Sequence, residues 1–277
     1  MGIEPVFTTI DGLPVRYADS ATPGDDVMLL SPWPESIFAF HQVWAPLAEH
    51  GHLVAIDPPG FGQSQYREDL MNPKAMSEFI VRAADALGLD NPHVVAPDIG
   101  TSASLFAAAA HPGRFCSIVV GSGGAAVPIN VTGVLRDWAE STDLEPYRKL
   151  GGRAVVEIAL STIAGYSPSE DIRNDYLDSY EGDRFAKTVP YVQHYREQLP
   201  LLADLLDVIE TPVRIIQGGA DQVVPAANAE FLHARLPHSR IDLIDGAGHS
   251  SGRSGLTSMP RWSSIGGTTY PAETDLP

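Results

Sequence analysis

The fold is decided by the stretch Val94-Val95-Ala96-Pro97-Asp98-Ile99-Gly100-Thr101. An apolar run typical of a buried strand meets a carboxylate, Asp98, and continues at once into an alanine-rich segment typical of a helix. Such a sharp strand-to-helix turn is a nucleophile elbow, and it holds its central residue above the sheet. The turn brings two backbones together, so it requires small residues on both sides, and Ala96 and Gly100 meet this requirement. A simple helix cap is the competing interpretation of Asp98, because aspartate often begins helices.

Apolar runs and helical patterns alternate on both sides of this stretch. The predicted strands are residues 7–10 and 15–18, which flank the hairpin signal Asp11-Gly12, then 26–30, 53–56, 93–96, 117–121, 213–217 and 240–244. The predicted helices are residues 38–50, 74–87, 102–111 and 226–236. Strands that alternate with helices of this length predict right-handed crossovers, and therefore an α/β fold with a mostly parallel sheet and flanking helices.

The alternation is interrupted between residues 128 and 205, where the pattern is helical. We therefore expect a core made of residues 1–127 and 206–249, with a helical cap, residues 128–205, inserted after the sixth strand. Such caps roof active sites at the carboxyl ends of strands. Residues 250–277 are rich in Ser, Gly, Thr and Pro, a composition that predicts an irregular tail.

The net charge of the chain indicates which classes of partner to expect, and its cysteine content indicates whether it contains a disulfide. The 277 residues carry a formal net charge of −17, which repels nucleic-acid phosphates and anionic lipid headgroups. We therefore expect neither a nucleic-acid nor a membrane partner.

A single cysteine, Cys116, excludes an internal disulfide and fits a cytoplasmic location. Residues 1–16 contain Glu4 and Asp11 and no apolar run, so we expect no signal peptide there. The sequence leaves open whether the chain forms a homodimer.

Two later strands end in residues that could assist Asp98. Asp221 follows a glycine turn after the strand at 213–217, and His249 follows Gly248 after the last strand. Taken separately, each is typical of an ordinary turn or loop. Because the carboxyl ends of parallel strands meet at one edge of a sheet, we expect the three side chains to lie together there. Their chain order is that of a nucleophile, an acid and a base.

An oxyanion hole beside Asp98 requires two N–H donors. One is the backbone N–H of Ile99, at the start of the helix. The other is expected from the loop Ser31-Pro32-Trp33-Pro34-Glu35-Ser36, and its natural donor is Trp33, because the neighbouring prolines have no N–H. An ordinary proline-rich loop is the alternative interpretation.

The ordered set of motifs resembles the epoxide hydrolase branch of the α/β-hydrolases, to which the haloalkane dehalogenases are closely related. The motifs, spread over residues 5–249, are Trp33-Pro34-Glu35-Ser36, Asp57-Pro58-Pro59-Gly60-Phe61-Gly62-Gln63-Ser64, Asp98-Ile99-Gly100, Gly219-Ala220-Asp221 and Gly248-His249. The resemblance implies the α/β-hydrolase fold. It also implies Asp98 as nucleophile, His249 as base and Asp221 as its partner, with Trp33 and Ile99 as oxyanion donors.

The chain departs from that branch at four places. Ser31-Pro32 stands where His-Gly is usual, Pro97 where His is usual, and Ile99 where Trp is usual. The helix expected after His249 has no counterpart in the pattern of the tail.

An aspartate nucleophile implies alkyl transfer, because attack on an sp³ carbon gives an ester of the enzyme itself. His249 would then activate water against that ester. This mechanism uses neither a metal nor an organic cofactor, and the sequence shows no His/Cys cluster with ligand spacing. We therefore expect no cofactor and no metal.

The leaving group distinguishes the two related branches. An opened epoxide needs a proton, which a tyrosine can donate, whereas a halide leaves as a stable anion and needs only weak donors such as an indole N–H. The usual halide-binding Trp is Ile99 here. Tyr195 resembles the second ring-opening tyrosine of epoxide hydrolases, and Tyr147 lies where the first usually stands. The cap contains six tyrosines, so a packing role is the alternative for both.

The sequence thus predicts an enzyme that converts an epoxide to a vicinal diol. Its small-molecule substrate is expected to be apolar or aromatic, with Trp33 and Trp138 as walls of the pocket unless they belong to the core. One alternative is a haloalkane dehalogenase with the same nucleophile. A second is a catalytically inactive relative that only binds its ligand.

Overall fold

The computed structural model describes residues 2–161, 163 and 167–249. In this part of the chain one sheet has the strand order β1-β2-β4-β3-β5-β6-β7-β8. Its strands are β1 Val6–Ile10, β2 Leu13–Asp19, β3 Asp26–Leu30, β4 His52–Ile56, β5 His93–Pro97, β6 Ser117–Gly121, β7 Val213–Gly218 and β8 Ser239–Ile244. β2 is antiparallel to both of its neighbours, and the remaining pairs are parallel. The predicted α/β fold with a mostly parallel sheet is confirmed.

Helices connect the strands and cover the sheet. They are α1 His41–Ala48, α2 Pro73–Ala86, α3 Ile99–Ala110, α4 Gly133–Glu140, α5 Glu145–Leu150, α6 Gly152–Ser161, α7 Glu170–Ser179, α8 Arg184–Thr188, α9 Pro190–Gln193, α10 Tyr195–Ala203 and α11 Ala227–His233. The seven helices α4 to α10 all lie between β6 and β7, in the segment predicted as a cap. None of the described helices is long and apolar enough to cross a membrane.

Successive side chains of a strand point to opposite faces of the sheet, so the hydrophobic core has one part on each face. In β3, Met28 and Leu30 pack with the residues of α2 and α3, whereas Val27 and Leu29 pack with those of α1. All four side chains are fully buried. This is why the central strands are continuous apolar runs, as expected for a parallel sheet that is covered on both faces.

Among the predicted boundaries that were wrong, two lie beside the elbow and the Trp33 loop. The helix predicted to begin at residue 102 begins at Ile99, because the chain passes from strand to helix within the single residue Asp98. The helix predicted over 38–50 divides into a 3₁₀ turn, Ile37–Phe40, and α1. The turn begins where the Ser36 hydroxyl accepts a hydrogen bond from the Phe38 N–H at 3.3 Å. The predicted irregular tail, residues 250–277, lies outside the described residues.

Candidate active site

The elbow between β5 and α3 places Asp98 at the carboxyl edge of the sheet. Its backbone has φ 53° and ψ −120°, a conformation that residues other than glycine rarely adopt. The Asp98 N–H donates to the carbonyl of Gly121 on β6 at 2.9 Å. A Cβ on Gly100 would lie 3.1 Å from the Cβ of Ala96, which shows why this turn needs small residues. A Cβ on Gly123 would lie 2.4 Å from the Asp98 carbonyl oxygen, so that glycine is also part of the support.

The Asp98 carboxyl group is buried and lies beside both predicted oxyanion donors. The Trp33 N–H donates to its Oδ2 at 2.7 Å. Burial raises the pKa of Asp98 to about 6, while the charge of His249 and the N–H groups of Trp33 and Ile99 act to lower it. The structure therefore brings the N–H groups of Trp33 and Ile99 together on one carboxyl group, although Trp33 follows β3 and Ile99 begins α3.

His249 and Asp221 form a hydrogen-bonded pair beside Asp98. The His249 Nδ1 lies 2.9 Å from Asp221 Oδ2 and 3.1 Å from Oδ1. Burial acts to lower the pKa of His249, but the hydrogen bond and charge of Asp221, together with the charge of Asp98, raise it above its usual value. Because Nδ1 is held by Asp221, Nε2 is the ring nitrogen available for proton transfer.

Asp221 is held in turn by the backbone of its own loop. Its Oδ1 accepts the N–H groups of Val223 and Val224, both at 2.8 Å. Burial acts to raise the pKa of Asp221, but the bond from His249 and these N–H groups lower it. Asp221 is therefore ionised at neutral pH, which suits the stabilisation of a protonated imidazole.

A small cavity lies above these groups. Asp98 and His249 supply its polar surface, and the other lining residues are Trp33, Pro34, Val134, Leu135, Trp138, Ala159, Ile163 and Val223. Trp33 and Trp138 meet edge to face with ring centroids 4.9 Å apart, and Phe185 stacks on Trp33 at 5.0 Å. The cavity volume, about 30 Å³, is enough for a water molecule. The two tryptophans predicted as pocket walls thus line the cavity that contains Asp98.

The family model described as "alpha/beta hydrolase fold" matches residues 27–252. The chain belongs to the α/β-hydrolase fold family. Among curated proteins it is 24% identical over 245 residues to the uncharacterized hydrolase YugF of Bacillus subtilis, covering 87% of this chain and 89% of that one. It is 29% identical over 245 residues to a pimeloyl-[acyl-carrier protein] methyl ester esterase of Xanthomonas campestris, covering 82% and 88%.

Solved structures share the α/β-hydrolase fold of the chain. Cfl2 from Burkholderia cenocepacia has a TM-score of 0.78 at 19% identity, covering 93% of this chain and 94% of that one. The epoxide hydrolase VrEH1 from Vigna radiata has a TM-score of 0.74 at 17% identity, covering 92% and 94%. At these identities the similarity shows the fold alone.

Tyr195, on the cap of this α/β-hydrolase, lies close to the site. It is 2% exposed, and its ring packs against Gly124, where a Cβ would lie 2.7 Å from it. Burial and the negative charge of Asp98 raise its pKa far above the usual range, while Ser102 acts to lower it. Tyr195 is nevertheless not among the described residues that line the cavity.

Tyr147 is partly buried and packs against the core cluster that contains Trp33 and Trp138, but it is not among the described residues that line the cavity. It belongs to α5, a helix with no buried residue, and its pKa is raised by partial burial and by Asp137. The spacing from Asp98 suggested its position, but the spacing does not reveal which side of a cap helix faces the core. Its predicted role stays a prediction.

Three residues that make hydrogen bonds near the site were not predicted from the sequence. Tyr191 donates to the Ile99 carbonyl at 2.9 Å, and Tyr180 donates to the Glu35 carbonyl at 3.3 Å. Gln217 donates to Asp221 Oδ2 at 3.2 Å, and its Oε1 accepts the Ser122 N–H at 3.0 Å. A polar residue inside the apolar strand β7 was a signal that could have identified Gln217. The tyrosines were hidden among the other tyrosines of the cap.

Among residues 2–161, 163 and 167–249, no three His, Cys, Asp or Glu side chains are grouped so that they could hold a metal ion.

Proposed function

We propose that this α/β-hydrolase is an epoxide hydrolase that acts through a covalent ester on Asp98. The observation that carries the proposal is the 2.7 Å hydrogen bond from the Trp33 N–H to Asp98 Oδ2. With a serine nucleophile, an oxyanion hole binds the carbonyl oxygen of the substrate. Here the donors lie on the carboxyl group at the elbow itself. They are therefore placed to stabilise charge that develops on Asp98 when its own ester is attacked.

In the first step, Asp98 Oδ1 attacks a ring carbon of the epoxide. The bond between that carbon and the ring oxygen breaks, and its electron pair stays on the oxygen. The resulting alkoxide takes the phenolic proton of Tyr195, and the product is a β-hydroxyalkyl ester of Asp98. Burial and the charge of Asp98 raise the pKa of Tyr195, so the phenol is protonated and can donate when the alkoxide forms.

In the second step, water attacks the ester. His249 Nε2 takes a proton from the water, and the water oxygen adds to Cγ of Asp98. The negative charge that develops on Oδ2 is held by the N–H groups of Trp33 and Ile99. The tetrahedral centre then collapses, the bond to the substrate oxygen breaks, and that oxygen takes the proton from His249. The diol leaves, the Asp98 carboxyl group releases the remaining proton of the water to solvent and becomes a carboxylate again, and Tyr195 regains a proton from solvent.

The tyrosine assignment is supported by the hydrogen bonds of its neighbours. Tyr180 and Tyr191 also lie near Asp98, since the charge of Asp98 contributes to raising the pKa of each. Both, however, donate their protons to backbone carbonyls, of Glu35 and Ile99 respectively. Tyr195 is therefore the tyrosine that we assign as the acid for the alkoxide.

The lining of the cavity favours an uncharged, apolar or aromatic substrate. Apart from Asp98 and His249, its described residues are aromatic, aliphatic or proline. A charged substituent would lose its hydration there without gaining a partner.

One observation favours a haloalkane dehalogenase as the second candidate. The indole Nε1 of Trp33 is buried and has no hydrogen-bond partner in the described part of the chain, and Trp33 lines the cavity. An indole N–H is a donor of the kind that binds a departing halide.

A substrate panel separates these functions. The protein and an Asp98→Ala variant are incubated with styrene oxide, 1-bromobutane and p-nitrophenyl acetate, and diol, bromide and nitrophenol are measured. We expect diol from the epoxide and its loss in Asp98→Ala. Bromide release that depends on Asp98 would instead establish the dehalogenase, and nitrophenol that depends on Asp98 would point to an esterase. Binding without turnover of any of them would indicate an inactive relative.

A further inference from the structure

A polar hub joins the cap to the core at one residue, Asp175 on α7. Its carboxylate accepts hydrogen bonds from Arg16 on β2, at 2.7 Å and 3.3 Å, and from the Ser36 hydroxyl at 2.6 Å. Gln63 donates a further bond at 2.9 Å. Arg16 is 2% exposed, so this is a buried ion pair, in which charge-assisted hydrogen bonds are strong.

The hub holds the loop that supplies the Trp33 N–H. Ser36 ends this loop, and the next residue, Ile37, donates its N–H to Asp57 Oδ1 at 2.8 Å. Asp57 lies 3.6 Å from Arg16 and belongs to the core. The end of the loop is thus fixed from the core by Asp57 and from the cap by Asp175, with Arg16 between the two carboxylates.

A second cap residue holds the same loop. The Tyr180 hydroxyl donates to the Glu35 carbonyl at 3.3 Å and accepts the Gly62 N–H at 3.1 Å. Tyr180 directly follows α7, which carries Asp175. One cap segment therefore makes two hydrogen bonds to consecutive residues of the loop, Glu35 and Ser36.

The small size of the cavity suggests how the contacts of Asp175 are related to substrate entry. The cavity volume is about 30 Å³, so a substrate of several carbon atoms enters when the residues around the cavity move apart. The cap helices that line the cavity are α4 and α6, and α7 packs against α6. Any movement of α7 away from the core stretches the 2.6 Å bond between Asp175 and Ser36. The loop then loses its support from the cap.

We infer that Asp175 is a positioning residue: through Ser36 it sets the loop that places the Trp33 N–H on Asp98 when the cap is closed. The catalytic part of this inference rests on the proposed function, whereas the structural part does not. Closure over a substrate would complete the oxyanion hole, and an open cap would leave it incomplete. Water would then attack the Asp98 ester efficiently only in the closed state.

Two variants and one control test the inference. Asp175→Asn removes the charge that Arg16 and Ser36 contact; Arg16 retains Asp57 as its counter-ion, so the buried charges stay balanced and the variant is expected to fold. Ser36→Ala removes the link to the loop and leaves the pair of Arg16 and Asp175 in place. The matched control is Asp178→Asn on the same helix, since Asp178 is 56% exposed and pairs with the surface residue Arg153.

The first measurement is hydrogen–deuterium exchange, which requires no substrate. In Asp175→Asn and Ser36→Ala, the amides of residues 31–38 should exchange about 5- to 10-fold faster, as expected for the loss of one or two hydrogen bonds. Exchange in α2 and α3 should not change, and Asp178→Asn should match the wild type throughout. Unchanged exchange of residues 31–38 in both variants would overturn the inference, whatever reaction the protein catalyses.

The second measurement separates positioning from general destabilisation. In rapid-quench experiments with a substrate that is turned over, hydrolysis of the Asp98 ester should slow roughly 10- to 100-fold in Asp175→Asn. Attack on the substrate should slow much less, so the ester accumulates in the steady state. Equal slowing of both steps, with a fall in Tm, would show Asp175 to be merely structural and would contradict the catalytic part.

Discussion

The backbone N–H of Trp33 lies 2.7 Å from Oδ2 of Asp98, although the two residues are 65 positions apart in the chain. They meet because β3 and β5, the strands that precede them, are parallel neighbours in the sheet. A backbone donor cannot be removed by changing its side chain. Its position depends on the loop that carries it, and this makes the supports of that loop as important as the donor.

We predict that Tyr195→Phe lowers kcat for diol formation by about 10²–10⁴-fold, the usual contribution of a general acid. The effect falls on kcat rather than on KM, because the proton is needed mainly in the ring-opening transition state. Tyr147→Phe is the control, and we expect it to stay within about twofold of the wild type, since α5 buries none of its residues. Steady-state kinetics on the best epoxide of the panel measure both. A large loss in Tyr147→Phe with none in Tyr195→Phe would reverse the assignment.

The two chemical steps should depend on pH in different ways. Burial raises the pKa of Asp98 to about 6, and only the carboxylate attacks, so the rate of ester formation should rise with pH through about 6 and then level off. Burial acts to lower the pKa of His249, but the hydrogen bond and charge of Asp221 raise it, and both persist in the ester, in which Asp98 carries no charge; only the neutral imidazole accepts a proton. Ester hydrolysis should therefore rise at higher pH than ester formation. Single-turnover quench-flow between pH 5 and 9 resolves the two curves.

The variant Asp221→Asn tests whether His249 is the group that controls the pH dependence of ester hydrolysis. Asp221→Asn removes the carboxylate that raises the pKa of His249, so the hydrolysis curve should move to lower pH. The ester-formation curve should move the other way, because a less protonated His249 lowers the pKa of Asp98 less. The plateau of hydrolysis should also fall by about 10⁴-fold, the cost of losing the equivalent aspartate in a serine triad. A hydrolysis curve that does not move would mean that a group other than His249 is the base.

The central sheet and the elbow could be predicted because their signals are local. Small residues must flank Asp98, and Asp221 and His249 each follow a glycine at the end of a strand, so topology alone brings the three to one edge. The contacts that the cap side chains make could not be predicted from local signals. A helical pattern at Tyr147 or Tyr195 does not reveal which neighbour each side chain will meet. The contact between Arg16 and Asp175 joins residues 159 positions apart, and no local pattern encodes such a contact.

A surface cluster at the amino edge of the sheet should make stability depend on pH. His52 Nδ1 lies 2.8 Å from Asp26, and its Nε2 lies 2.8 Å from Asp19. Partial burial acts to lower the pKa of His52, but the hydrogen bonds and charges of Asp26 and Asp19 outweigh it and raise the pKa. Protonated His52 thus stabilises the folded state. This stabilisation is fully present below the pKa of His52 in the unfolded chain, and it is lost as the pH rises through the raised pKa of His52 in the folded protein.

His52→Gln should therefore reduce the free energy of unfolding by on the order of 1 kcal/mol at pH 5.5, and by less at pH 9. Urea denaturation at the two pH values measures the difference. His50→Gln, at a solvent-exposed histidine two positions earlier, is the control and should show no such pH dependence. A deficit in His52→Gln that is the same at both pH values would contradict this prediction.

The central claim is that Asp98 forms an ester with the substrate and that His249 is needed only to hydrolyse it. The most direct measurement is the intact mass of a His249→Gln variant after incubation with a substrate that the wild type turns over, followed by peptide mapping. We predict a gain of one substrate mass, located on the peptide that contains Asp98, and no gain in the double variant that also carries Asp98→Ala. An adduct on another residue, or wild-type turnover by Asp98→Ala, would contradict the claim.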